Sequence, residues 1–212
     1  MVTKADNSRG QVFFVDDELA VCTAVRETLE ESNISVRCFT HPAECLAQLR
    51  SQRCDLLITD LKMPEENGMQ LLEEVKELTP WIPVLIVTGY GDIPTAVKAI
   101  KCGGIDFIEK PLGKDGFVRK VNSLLEQSRR LPLDGFWALT RMEIQVLKLV
   151  VAGRSNSEIA AVIKRSIRTV ESHRAAFMQK LGVRTVIEFL KLAAATGLIA
   201  SSTRHEENSP GR

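Results

Sequence analysis

"LLITDLKMP" (Leu56 to Pro64) opens with four residues suited to a buried strand and then sets a carboxylate, Asp60, where that strand emerges. An unpaired buried charge is costly, so Asp60 requires partners elsewhere in the chain. Working outward, similar short β-rich runs recur: "VFFV" (12–15), "ISVRCF" (34–39), "LLIT" (56–59), "VLIVT" (84–88) and "DFIEK" (106–110). Amphipathic stretches separate and follow them, at 18–31, 42–51, 68–78, 94–102 and 112–126. Apolar strands alternating with helices predict an α/β domain, a doubly wound five-stranded parallel sheet covered on both faces. In such sheets, function gathers at the carboxyl ends of the strands.

Those ends carry a pattern. The first run closes "FFVDDE", placing Asp16 and Asp17 beside the edge where Asp60 emerges; the fourth ends at Thr88, before Gly89, and the fifth at Lys110, before Pro111. Singly, each has an ordinary explanation as a turn residue, a cap or a solvated lysine. Together they bring three carboxylates, a hydroxyl and an ammonium to one edge. Crowded carboxylates repel unless a cation or proton intervenes. An oxygen-only donor set favours Mg²⁺, and the whole suits phosphoryl transfer to a carboxylate nucleophile.

The second half reads differently. Residues 128–135, within "QSRRLPLDG", lapse into charges, Pro and Gly and are expected to form a linker, after which no strand pattern returns. "TRME" (140–143) and "SNSE" (155–158) are capping boxes, Ser166 precedes a third helix, and a fourth is expected from about Thr185 to Thr196. A smaller all-α, four-helix domain over 136–200 follows, and the polar tail 201–212 is expected to be disordered. Residues 1–125 carry 14 Lys and Arg against 19 Asp and Glu, whereas residues 136–200 carry 10 against 4. An acidic half joined to a basic half implies two tasks, the second with a polyanion. Apolar positions Ile159, Ala160, Ile163, Val170, Phe177 and Leu181 lie on two helical faces joined by a tight turn, a helix-turn-helix layout. Arg168, Thr169, Glu171, His173 and Arg174 point outward from the second helix in that layout, with side chains suited to phosphates and base edges. The five cysteines lack CxxC spacing and read as reduced, buried thiols of a cytoplasmic protein. No apolar run is long enough to span a membrane, so no membrane association is expected.

"FFVDDE", "ITDLKMPEENG", "VTGYGD" and "DFIEKP" resemble the signature segments of a response-regulator receiver domain, which is flavodoxin-like, over 10–127. "LTRMEIQVLKLVVAGRSNSEIA" and "SIRTVESHR…KLGV" resemble the LuxR-type output domain, and the combination is similar to the NarL/FixJ class, nearest the FixJ type. The resemblance implies Asp60 as phospho-acceptor, with Mg²⁺ held by Asp16, Asp17, Asp60 and the main-chain carbonyl of Lys62. It implies Thr88 and Lys110 as phosphate-contacting groups, Thr88 and Phe107 as the switch pair, and a cis Lys110–Pro111 bond. Lys62 and Tyr90 flank the entry of attacking water. Arg168, Thr169, Val170, Glu171, His173 and Arg174 fall where that family touches DNA. Lys164 and Arg165 depart from the family's usual turn, a small or polar residue followed by an apolar one. The implied function is a cytoplasmic, non-enzymatic transcription factor of a two-component phosphorelay. It takes a phosphoryl group from a sensor histidine kinase, forms a homodimer, binds promoter DNA and acts on RNA polymerase. The rivals are a Mg²⁺-dependent phosphatase and a phosphorylation-independent DNA-binding or interaction module with a vestigial site.

Overall fold

The computed structural model describes residues 10–63, 68–89 and 93–199. Tyr90, Pro64 and the tail 201–212 lie outside them, as does whatever was expected of those residues. The chain divides into two compact units, at Arg130 and Leu131.

In the first unit five strands, β1 (Gln11–Val15), β2 (Ser35–Phe39), β3 (Leu56–Asp60), β4 (Val84–Thr88) and β5 (Asp106–Glu109), pair in the order β2-β1-β3-β4-β5, all parallel. The helices are α1 (Leu19–Glu31), α2 (Pro42–Leu49), α3 (Gly68–Leu78), α4 (Ile93–Lys101) and α5 (Lys114–Arg129). Alternation divides each strand between two faces. Val12, Phe14, Leu56, Ile58, Leu85 and Val87 meet Cys22, Val25 and Leu29 of α1 and Phe117, Val121 and Leu124 of α5 in one core. Phe13, Leu57 and Ile86, one residue out of phase, are equally buried on the other face. The predicted doubly wound sheet is therefore present, with element ends moved by one to three residues. Asp60 is the last residue of β3, and Lys110 falls just past β5.

The expected linker 128–135 is corrected at both ends. α5 continues to Arg129 because Leu124, Leu125 and Ser128 extend its buried face. Asp134–Trp137 forms a one-turn helix, α6, anchored by the fully buried Phe136.

In the second unit the four expected helices follow α6: α7 (Arg141–Val151), α8 (Asn156–Ile163), α9 (Ile167–Lys180) and α10 (Val186–Ala195). Both capping boxes form, at Thr140 with Glu143 and at Ser155 with Glu158; Ser166 and Thr185 cap α9 and α10. Val146, Leu147, Ile159, Val170, Phe177 and Phe189 make the core, where the rings of Phe177 and Phe189 stand 5.2 Å apart.

Candidate phosphoryl-acceptor site and nucleic-acid face

The sheet edge assembles the acidic cluster. Asp16 follows β1 with its N–H on the carbonyl of Phe39, at 3.1 Å, and is wholly buried. Its Oδ1 accepts the N–H of Glu18 at 3.0 Å and its Oδ2 accepts Lys110 Nζ at 2.9 Å. Asp60, on the adjacent strand β3, accepts the N–H of Lys62 at 3.0 Å on Oδ1 and Lys110 Nζ at 2.6 Å on Oδ2. Lys110 reaches both from beyond β4, tied there by its own N–H on the carbonyl of Thr88 at 2.8 Å. The Lys110–Pro111 bond is cis, as expected. Thr88 ends β4, is buried, and donates its hydroxyl to the carbonyl of Gly89 at 3.4 Å.

One ammonium is shared here between two carboxylates. Burial pulls the Lys110 pKa down, but its bonds to Asp60 and Asp16 outweigh that and keep it above the ordinary lysine range. For Asp16, burial wins: its carboxyl is held above its usual range although Lys110 and the Glu18 N–H pull the other way. Asp17 is half-buried and makes no hydrogen bond or ion pair among the described residues.

Among the described residues no three carboxylate, imidazole or thiol groups are gathered closely enough to hold a metal by themselves. Lys110 lies between Asp16 and Asp60. The donor set nonetheless fits Mg²⁺, being oxygen throughout, with Asp17 free to take part. Lys62 is exposed and Phe107 half-buried.

Gly68 closes the segment "ITDLKMPEENG" and opens α3. A Cβ at Gly68 would lie 2.1 Å from the carbonyl oxygen of Asp60 and 2.7 Å from the Cα of Leu61. The start of α3 thus rests directly on the backbone of Asp60, a close approach that only glycine permits. The sequence signal was a glycine at the first position of the expected helix 68–78, directly after Asn67.

In the second unit Arg168 and Glu171 are exposed on α9, and His173 is half-buried. Thr169 is half-buried and shares a hydrogen bond with Ser166 at 2.8 Å. Arg174 hydrogen-bonds Asn156 Oδ1, bracing α9 against the start of α8. Val170 is corrected: it is fully buried, seven residues before Phe177 on the same core face, and presents nothing to a groove. Lys164 adopts the left-handed conformation, φ +53°, closing α8, and both it and Arg165 are exposed. The stem of Arg165 therefore does not replace the family's apolar turn residue in the core.

Residues 12–122 match the family described as "Response regulator receiver domain", and residues 138–193 that described as "Bacterial regulatory proteins, luxR family". The chain belongs to the response regulators. Its fold is also that of a solved relative, full-length FixJ from B. japonicum, at 30% identity and a TM-score of 0.54, covering 89% of this chain and 98% of that one. The regulator is 34% identical to the transcriptional regulatory protein FixJ of Rhizobium meliloti over 195 residues, 88% of this chain and 96% of the relative. It is 33% identical to the response regulator protein TodT of Pseudomonas putida over 190 residues, 85% of this chain and 84% of the relative. Receiver and LuxR-type domain together make this regulator a two-component transcription regulator; the vestigial-module alternative is not favoured. A family of this kind implies a sensor-kinase partner and DNA binding, and its members are normally not enzymes. No described helix is long and apolar enough to cross a membrane.

Proposed function

We propose that Asp60 is the phosphoryl acceptor and that its occupancy governs the binding of α9 to promoter DNA. The observation that carries this is the ammonium of Lys110 held on both Asp16 and Asp60. A cation already bonded to the attacking carboxylate is placed to receive the oxygens of an arriving phosphoryl group.

In the transfer, a carboxylate oxygen of Asp60 bonds to phosphorus as the bond to the donor's leaving atom breaks, a histidine nitrogen in a sensor kinase. Lys110 then holds the phosphoryl oxygens while remaining near Asp16. The hydroxyl of Thr88, now on the carbonyl of Gly89, turns to donate to one of them, and Phe107 follows it inward. Asp16, Asp17, Asp60 and the carbonyl of Lys62 would hold Mg²⁺, which supplies charge neutralisation to the phosphoryl group.

Two exposed apolar side chains, Val97 on α4 and Ile105 before β5, support dimerisation through the face formed by α4 and β5. The dimer presents two output domains to half-sites spaced by about 10 bp or a multiple of it. Arg168, Thr169, Glu171, His173 and Arg174 face the DNA, and the bound dimer acts on RNA polymerase in the cytoplasm. The test is intact mass after incubation with Mg²⁺ and a small acyl phosphate, with Asp60→Asn beside the wild type. One added phosphate on the wild type alone, together with tighter promoter binding, is the expected result. Uptake by both proteins would place the acceptor elsewhere.

A further inference from the structure

The turn between α8 and α9 carries charge that nothing within its own unit neutralises. Lys164 closes α8 at φ +53°, a left-handed conformation that disfavours any side chain, and Arg165 follows it. The N–H of Arg165 donates to the carbonyl of Ala160 at 3.0 Å and that of Lys164 to the carbonyl of Ala161 at 3.4 Å. Both residues are thereby tied to the last turn of α8. Ser166 comes next and caps α9, its Oγ accepting the N–H of Thr169 at 3.1 Å. Two basic residues therefore make the reversal between the helices. Both are exposed, as is Arg168 in the first turn of α9.

Several cations elsewhere on this unit have partners. Lys180 is held by Glu143, Arg154 lies 3.5 Å from Glu158, and Arg174 hydrogen-bonds Asn156. Lys164, Arg165 and Arg168, by contrast, make no ion pair among the described residues, and no acidic residue lies in the chain between Glu158 and Glu171. A concentration of positive charge at one corner of a domain is placed for a polyanion.

The geometry of the pair of helices says which part of a polyanion. A helix-turn-helix docks with the start of its second helix on base edges in the major groove and with its first helix across the backbone. The junction of the two then lies over the sugar–phosphate strand that borders the groove. Long cationic side chains at that junction meet phosphates: arginine as a planar fork onto two oxygens, lysine as a point charge. Such contacts fix position and affinity and carry no sequence information.

Resting on the reading that α9 enters DNA, we propose that Lys164 and Arg165 form a backbone clamp. Each binds a phosphate of the strand beside the groove, adding two sequence-independent contacts per output domain to those made by α9. The left-handed position of Lys164 then has a use. Glycine would fit the backbone of this turn better but would give up one phosphate.

Arg141, the exposed first residue of α7, supplies the control. α7 begins beside the far end of α9, where Glu143 holds Lys180, and the 14 residues of α9 separate that end from the turn by about 20 Å.

The experiment measures binding of the full chain to a random-sequence duplex, and to a duplex selected by the wild type, between about 50 and 200 mM KCl. The logarithm of the association constant falls linearly with that of the salt concentration, with a slope of about 0.9 for each phosphate neutralised. Lys164→Gly and Arg165→Gln should each flatten the slope by about 1 per bound domain, and the double variant by about 2, on both duplexes alike. The ratio of the two affinities should stay at the wild-type value, and Arg141→Gln should keep the wild-type slope. Urea midpoints recorded beside the binding data separate lost contacts from lost folding, because Lys164→Gly is expected to be the more stable protein. An unchanged slope in either single variant, or an equal flattening in Arg141→Gln, overturns the clamp and leaves α9 as the DNA-binding helix. A changed ratio between the duplexes assigns the turn to base edges and overturns it as well. A wild type that binds neither duplex removes the reading of α9 itself, and the clamp with it.

Discussion

Lys110 has opposed demands placed on it by burial and by two carboxylates, and the carboxylates prevail. Removing its ammonium leaves Asp16 and Asp60 as adjacent, mostly buried negative charges without a counter-ion. Breaking such a pair is strongly destabilising. Because the Lys110 side chain keeps 25% of its surface exposed, the loss in Lys110→Ala is set below the fully buried range, at about 2–4 kcal/mol. Urea unfolding of the receiver without Mg²⁺ measures it, and an unchanged midpoint contradicts the pairing. Glu143 gives the corresponding case in the second unit. It is buried, caps Thr140, and accepts Lys180 Nζ at 2.7 and 2.9 Å. Burial pushes its carboxyl up, but Lys180 and Thr140 outweigh this and hold it below the ordinary glutamate range. A depressed folded pKa stabilises above the unfolded value and is lost as pH falls through the folded one. The output domain should therefore weaken as pH falls through and below the ordinary glutamate range, and Glu143→Gln should flatten that slope. At neutral pH the same substitution should cost about 1–2 kcal/mol, read from the urea midpoint.

Among the elements, the turn between α8 and α9 departs furthest from what the sequence leads one to expect. Lys164 closes α8 at φ +53°, where a side chain costs about 1 kcal/mol and glycine costs little. Lys164→Gly should raise the stability of the output domain by about that amount, a shift visible in its urea midpoint. A lower midpoint would mean that the lysine side chain contributes more than the backbone loses. Strands and helices were legible because apolar periodicity declares them: β4 and α3 fall on the residues expected, and α7, α8, α9 and α10 each start behind a visible Ser or Thr. The carboxylate edge was legible for a related reason, since parallel-sheet topology carries strand ends to one side. Three features were not. The extension of α5 to Arg129 depends on Ser128 being buried, and the core place of Val170 overrides its position in a recognition motif. The contact of Cys22 with Cys38 joins a helix to an edge strand, which no spacing along the chain announces.

For the molecule as a whole, the question is how one phosphoryl group on the first unit alters the DNA affinity of the second. Each unit has its own core, so a route through self-association requires only a surface on the receiver. Val97 is 44% and Ile105 46% exposed, and they lie on the element at the end of β4 and the segment leading into β5, close in sequence to Thr88 and Phe107. A rearranged Thr88 can bias that face because β4 and β5 are paired, Thr88 opposite Glu109. The phosphorylated regulator should sediment as a dimer in Mg²⁺, and Val97→Glu should return it to monomer by setting like charges against each other at the symmetric contact. Phosphate uptake at Asp60 should be unchanged in the variant, because Val97 is exposed and takes no part in the hydrogen bonds that join Asp16, Asp60, Lys62 and Lys110. Promoter binding should then fall to the level of the unphosphorylated protein, since each output domain binds its half-site without the effective concentration its partner supplies, a loss on the order of 10²-fold. A Val97→Glu protein that takes up phosphate, stays monomeric and still binds the full promoter as tightly as the wild type would show that phosphorylation acts within one chain.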